Sequence, residues 1–230
     1  MISLAMPTYE TFGQGCELLE VHFAKLLQQT YKDFEIVISD HSKDDAIRNL
    51  CESYQDKLPI RYFHNPDKRG NLSHNTNNAI KHCKGDLIKI LFQDDFLWNE
   101  TSLETIVNAF EEDTHWIVTA CEHTYDGVNF HRTLIPAYND EIYLGKNTIG
   151  NPSVMAFRNS DDKILLDESL TWMVDVDYYK KMFDRFGLPK VVPEITVVIR
   201  QWSKQLTHLI PSKIKEKEGR MMRKRYVKTS

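Results

Sequence analysis

Two carboxylates side by side, Asp94 and Asp95, follow Gln93 and the run 87–92, in which five of six residues are apolar. Adjacent acids at the end of an apolar segment repel one another unless a cation, solvent or a shared proton intervenes. Hard oxygen donors with no cysteine nearby suit Mg²⁺ or Mn²⁺ better than zinc or copper. An ion held by so few protein oxygens keeps positions open for phosphate. The plainer alternative is a solvated Gln-Asp-Asp turn between a strand and a helix, and on the pair alone that alternative stands ahead. Two further polar clusters, Pro7-Thr8-Tyr9 and Asp40-His41-Ser42, also follow short apolar runs.

The elements around these clusters alternate between two periods. Residues 2–6 and 34–38 are brief apolar runs of the kind that form buried parallel strands. Residues 60–63 and 87–92 give a third and a fourth strand. Between them, residues 17–29 carry Leu18, Leu19, Phe23, Leu26 and Leu27 on one side, and Ile47, Leu50, Cys51 and Tyr54 repeat at helical spacing. Ser42 with Asp45, and Thr101 with Glu104, read as capping boxes. A helix over 73–84 is expected to end at a Gly85 cap. Strand and helix in alternation imply an α/β fold with a mostly parallel central sheet flanked by helices. Ligands of such sheets bind beyond the carboxyl ends of the strands, which brings the three polar clusters to one rim.

The second half is less regular. Residues 116–120, 153–157, 191–192 and 196–199 read as strands, and residues 177–186 as a helix ended by Gly187. No linker interrupts the chain, so residues 1–210 form one domain, with a binding half over 1–100 and an acceptor half over 101–210. Residues 211–230 form a basic tail.

Bulk composition sets limits. The chain has 230 residues, 41% apolar and 27% charged, with a net charge of −4. That balance gives no general affinity for nucleic acid. Cys16, Cys51, Cys83 and Cys121 are widely spaced and read as reduced core thiols, which favours a reducing compartment. No apolar run approaches a membrane span, and the expectation is a cytoplasmic protein.

Several motifs in order carry a more specific signal. Met6-Pro7-Thr8-Tyr9, the stretch from Leu27 to Ser42 containing Gln29-Thr30-Tyr31 and Asp33-Phe34-Glu35-Ile36, and Lys84-Gly85-Asp86-Leu87-Ile88 ahead of Asp94-Asp95 resemble family 2 glycosyltransferases of the GT-A fold. The resemblance implies an inverting, nucleotide-sugar-dependent transferase using Mn²⁺ or Mg²⁺. By its implication, Pro7, Thr8 and Tyr9 border the nucleotide base, with Tyr9 stacking on it. Asp40 accepts a hydrogen bond from the base, Asp94 contacts the ribose or shares the metal, and Asp95 binds the metal. By themselves Tyr9 reads as a surface aromatic and Asp40 as a helix-entry turn residue. The chain also departs from the family pattern. Glu10 replaces an Asn, Ser39 replaces the first acid of an Asp-Asp-x-Ser turn, and Phe92 replaces the first Asp of the Asp-x-Asp motif.

The same resemblance aligns Val174-Asp175 with the family's Glu-Asp motif, making Asp175 the general base and Asp177 the reserve; the plainer reading of both is helix capping. Gly150-Asn151-Pro152-Ser153 resembles an acceptor-side turn, and Trp172 is a sugar platform or a core residue. Arg200, Gln201 and His208 align with a segment that reaches phosphate or metal, although a lone histidine such as His208 is more often structural. The implied partners are a nucleotide-sugar donor, UDP-sugar first with dTDP or GDP as alternatives, and a saccharide, lipid-linked or protein acceptor. No nucleic-acid partner is expected. The tail, with Lys213, Lys215, Lys217, Arg220, Arg223, Lys224, Arg225 and Lys228 against Glu216 and Glu218, reads first as a solvated, fraying helix. Its sharper reading is weak contact with an anionic membrane surface. Two rivals remain: a non-catalytic nucleotide-sugar-binding module, and a sugar-phosphate nucleotidyltransferase. The latter calls for a Gly-rich basic loop where Pro7-Thr8-Tyr9-Glu10 stands.

Overall fold

The computed structural model describes residues 1–203 and 205–227. Lys228 of the tail therefore lies outside the described residues. Among the described residues, nine strands form: β1 (Ile2–Thr8), β2 (Phe34–Asp40), β3 (Ile60–His64), β4 (Leu87–Ile90), β5 (Phe96–Leu97), β6 (Trp116–Thr124), β7 (Phe130–Leu134), β8 (Met155–Arg158) and β9 (Lys190–Arg200). They form one sheet in the order β3-β2-β1-β4-β8-β6-β9-β5, with β7 paired to β6. The half that carries the polar clusters, β3-β2-β1-β4, is parallel throughout. Beyond it β8 runs antiparallel to both β4 and β6, while β6 and β9 pair in parallel. All residues of β1 and β2 are buried, as expected of strands covered on both faces.

The helices are α1 (Gly15–Leu27), α2 (Ala46–Tyr54), α3 (Leu72–His82), α4 (Ser102–Asn108), α5 (Val174–Phe186), α6 (Leu206–Leu209) and α7 (Ser212–Tyr226). One continuous core runs from Phe23 and Leu26 of α1, through Ile36 and Ile88, to Trp116, Tyr178 and Met222. Among the described residues no helix is long and apolar enough to cross a membrane. The four cysteines are free thiols.

Several local expectations are corrected. Neither capping box forms. Ser42 donates its hydroxyl to Asp40 Oδ1 at 2.7 Å instead of capping α2, and Glu104 accepts from Thr30 Oγ1 at 2.8 Å. Gly85 is not a left-handed cap, because Cys83 closes α3 in an extended conformation. Its missing side chain matters for another reason: a Cβ there would lie 2.8 Å from both the backbone nitrogen and the hydroxyl of Ser3. Strand β4 stops at Ile90, since the chain then turns through Asp95 N–H to Phe92 O at 3.1 Å. The two short final strands are one, β9. Pro193 has no N–H to give to a ladder, and the register with β6 slips on both sides of Ala120 beside it. Helix α5 begins at Val174, so Asp175 and Asp177 occupy its first turn without capping it.

The tail is the largest difference. α7 does not fray in solvent; it packs against α5 and the residues leading into it. Met222 is fully buried, and the Glu218 carboxylate is enclosed. Apolar contact and buried hydrogen bonds on one face outweigh the charge run that composition shows.

Candidate active site

A cavity of about 430 Å³ opens at the carboxyl ends of β1, β2 and β4. Pro7 and Tyr9 reach it from β1, His41 from β2, and Asp94 from the turn after β4. Trp172 and Asp175 face it from α5 and its lead-in. Elements far apart in sequence thus converge as the strand-end argument requires.

The β1 end is held open by backbone packing. Tyr9 N–H donates to Gln93 Oε1 at 3.0 Å, which ties the two strand ends together. A Cβ on Gly15 would meet Tyr9 O at 2.6 Å, so only glycine lets α1 start so close to this loop. Thr11 and Phe12 both have positive φ, at 44° and 56°, a strained conformation for such side chains. The turn leaves Tyr9 41% exposed at the cavity wall, with its ring edge-on to Phe12 at 6.4 Å.

Thr8 and Asp40 lie directly behind that wall and do not line it. They are register partners of the parallel β1–β2 pair, and both are fully buried. The Asp40 carboxylate accepts from Thr8 Oγ1 at 3.2 Å, Ser42 N–H at 3.0 Å, Ser42 Oγ at 2.7 Å and Tyr62 Oη at 2.8 Å. Asp40 therefore organises the strand ends here, and in this structure its oxygens are not open to a base. Its neighbour His41 takes the place at the cavity. Burial, with His74 and Arg69 beside it, pushes the His41 imidazole down to about 4, so it is neutral at pH 7.

The acidic pair divides in an unexpected way. Asp94 is half-buried and faces the cavity, with Oδ2 accepting from Trp202 Nε1 at 3.1 Å. Asp95 is buried beneath it. Its Oδ2 accepts from Asn151 Nδ2 at 2.7 Å and its Oδ1 from Arg200 N–H at 3.2 Å. Burial and then the Asp94 charge push Asp95 up to about 8, and burial also raises Asp94. Burial and the closeness of the two carboxylates favour a proton held by the pair near neutrality. Of the two, Asp94 lines the cavity and Asp95 lies beneath it, outside the lining. The donor set is small, since no group of three or more His, Cys, Asp or Glu converges among the described residues. Two carboxylates fit an ion whose remaining ligands are phosphate and water.

Lys89 lies fully buried on β4 and donates to Ser153 O. Burial lowers its ammonium to about 7, opposed by the Asp95 charge. Ser153 is itself fully buried and accepts from Phe92 N–H at 3.0 Å. It braces the acidic turn and does not border the cavity.

On the opposite side, the Asp175 carboxylate lines the cavity and has no hydrogen-bond donor among the described residues. Burial raises it to about 7, a value suited to accepting a proton near neutral pH. Trp172 is half-buried beside it, with Lys215 Nζ 4.1 Å from the ring centroid. Asp177 is excluded from this chemistry by its surroundings. It is fully buried away from the cavity, paired with Arg225 Nη1 and Lys181 Nζ, each at 2.6 Å, and accepting from Tyr226 Oη at 2.7 Å. His208 is exposed on α6 and does not line the cavity, although its neighbours Thr207 and Leu209 do.

The sequence reading missed Arg69, Trp202 and Asn75 at the cavity. Arg69 Nη2 donates to Ser42 O at 2.7 Å, which holds its guanidinium at the rim. A basic pair ahead of Gly70 and the Asn71 cap of α3 was a usable local signal. Trp202 had none, because only the return of β9 brings it to Asp94.

The sequence profile described as Glycosyl transferase family 2 matches residues 3–172. The chain belongs to this family. It is 29% identical over 128 residues to glycosyltransferase GlyG of Streptococcus pneumoniae, covering 55% of this chain and 40% of the relative. It is 27% identical over 190 residues to a chondroitin synthase of Escherichia coli, covering 79% of this chain and 26% of the relative. The family 2 chain thus spans less than half the length of these two relatives. Among solved structures, S. aureus TarS in complex with UDP-GlcNAc superposes with a TM-score of 0.70 at 17% identity, over 91% of this chain and 61% of that one. A mannosyltransferase from Pyrobaculum calidifontis, in complex with GDP-Man and Mn²⁺, gives 0.63 at 17% identity over 89% and 58%. These likenesses establish the GT-A fold.

Proposed function

We propose that the chain transfers a sugar from a nucleoside diphosphate sugar, UDP-sugar foremost, to a hydroxyl acceptor with inversion. The observation that carries this reading is the single cavity in which Tyr9, Asp94 and Asp175 meet. Tyr9 stacks on the nucleotide base, with the Pro7 backbone beside it, and Arg69 offers a guanidinium to the diphosphate. Asp94, supported by Asp95, would hold Mn²⁺ or Mg²⁺, and the ion would supply positive charge to offset that of the departing diphosphate. Asp175 takes the proton of the acceptor hydroxyl as that oxygen attacks the anomeric carbon. The bond from that carbon to the phosphate oxygen breaks, and the nucleoside diphosphate leaves. Trp172 offers the sugar an apolar face. UDP comes first because of the UDP-GlcNAc bound to TarS; the GDP-Man of the mannosyltransferase makes GDP the next candidate.

Phe92, in place of the first Asp of the family motif, favours one rival, a binding module that holds the donor without turning it over. Release of UDP from UDP-GlcNAc, UDP-GalNAc and UDP-glucose, each with Mn²⁺, separates the two. Turnover that chelation abolishes supports the transferase. Tight UDP binding with no turnover of any donor supports the module.

The exposed side of α7 supports a further, weaker association. Lys213, Lys217, Arg220 and Lys224 recur at i, i+4, i+7 and i+11 on the face opposite Glu218 and Met222. Among the described residues none of the four has an acidic partner within 4.0 Å. The stripe suits an anionic membrane surface.

A further inference from the structure

Asp175 has a peculiarity for a proposed base: no described side chain orients its carboxylate. Its position depends wholly on the backbone of the first turn of α5. That backbone is gripped from both sides by α7. On the entering side, the buried Glu218 carboxylate accepts three successive amides: Thr171 N–H at 2.8 Å on Oε1, and Trp172 and Met173 N–H at 2.8 and 2.9 Å on Oε2. On the leaving side, Arg225 bridges Asp177 at 2.6 Å and Asp167 at 2.8 Å, and Tyr226 Oη reaches Asp177 at 2.7 Å.

From this we infer that Glu218 is a positioning residue for sugar transfer: through the three amides it fixes the lead-in that aims Asp175 and Trp172 into the cavity. The inference rests on the reading of Asp175 as general base. Three charge-assisted bonds to one carboxylate are far more than a surface helix needs to stay docked, since Met222 already supplies apolar burial. A displacement of about 1 Å at a reacting group costs on the order of 10²-fold in rate, so a loose lead-in appears in kcat before it appears in donor affinity. The residue types fit the task. A glutamate at position 218 has the reach and two oxygens to serve three amides, whereas glutamine has one acceptor oxygen.

The test compares Glu218→Ala, Glu218→Gln, Met222→Ala and Asp175→Asn. UDP release from UDP-GlcNAc with Mn²⁺ gives kcat, calorimetry gives the Kd for UDP, thermal melting gives stability, and hydrogen exchange reports the amides of 171–173. Met222→Ala is the comparator that weakens the docking of α7 without touching those amides. Glu218→Ala is expected to lower kcat roughly 10–100-fold, with the UDP Kd within about twofold and faster exchange at 171–173. Glu218→Gln recovers part of the rate. Met222→Ala, at a comparable loss of melting temperature, keeps most of it. Unchanged exchange at 171–173 in Glu218→Ala overturns the inference whatever the rate does. So does full kcat in Glu218→Ala, or an equal loss in Met222→Ala. If Asp175→Asn is inactive while Glu218→Ala is not, the positioning role alone fails. If Asp175→Asn retains full activity, the base assignment fails, and the positioning role falls with it.

Discussion

At the scale of single residues, the carboxylates in and around the cavity are placed under different obligations. Asp40 and Asp177 spend their oxygens on structure, Asp94 and Asp95 share one electrostatic problem, and Asp175 lines the cavity without a described donor. Burial of Asp175 favours its neutral form. An unfolded Asp titrates near 4, whereas this one is raised to about 7 in the folded state. The folded chain thus holds a proton that the unfolded chain releases. The stability tied to that group is complete below about pH 4 and is lost as pH rises through about 7. Activity runs the other way, because the base works only when ionised. The expected kcat therefore rises with pH and levels off above about 7. Asp175→Asn is expected to lower kcat by about 10²–10⁴-fold while raising the melting temperature at pH 8 and leaving it unchanged at pH 4. A pH–rate profile beside melts at both pH values checks this, and an Asn variant less stable at pH 8 contradicts the assigned environment.

Elements explain which parts of the site were readable in advance. The β1, β2 and β4 runs are apolar and end in polar clusters, so periodicity and composition located three corners of the cavity. Gln29 and Glu35, two motif residues outside the cavity, turn out to be clamps. Gln29 joins the end of α1 to Asn99 O at 2.7 Å and Leu103 N at 3.0 Å. Glu35 joins β2 to Ser3 Oγ at 2.6 Å and Arg61 Nη1 at 2.9 Å. Their spacing carried a family signal without revealing its purpose. Trp202 was illegible because nothing local marks it, and only the return of β9 brings it to the acidic pair; Asn151 stood in a marked turn, but its bond to Asp95 depends on the packing of that turn before β8. The tail misled because charge dominates its composition, whereas its fate is set by Glu218, Met222, Arg225 and Tyr226 on one face. The opposite face makes its own prediction. Vesicles rich in phosphatidylglycerol should pull down the wild-type chain at 50 mM salt and release it at about 500 mM, where screening falls to a few ångström. Replacing Lys213, Lys217, Arg220 and Lys224 by Gln should abolish the association without changing the fold, as co-sedimentation and circular dichroism would show. Equal binding to neutral phosphatidylcholine vesicles would rule out the electrostatic reading.

For the whole molecule, the division of labour follows the sheet. Its parallel half presents the wall proposed for the nucleotide, the mixed half with α5 and α7 presents the wall proposed for the base and acceptor, and the acidic turn after β4 lies at the seam. The central claim is that this seam binds a nucleoside diphosphate through a divalent ion held chiefly by Asp94. The most direct measurement is a thermal melt of wild type and Asp94→Ala with UDP, with Mn²⁺, and with both. A ligand at a hundredfold excess over its Kd stabilises the folded state by about 2.7 kcal/mol, which for a chain of this size raises the melting temperature by roughly 5–10 °C. The account predicts that rise for wild type only when UDP and Mn²⁺ are present together, and its loss in Asp94→Ala. An equal rise with UDP alone, or an undiminished rise in Asp94→Ala, would contradict it.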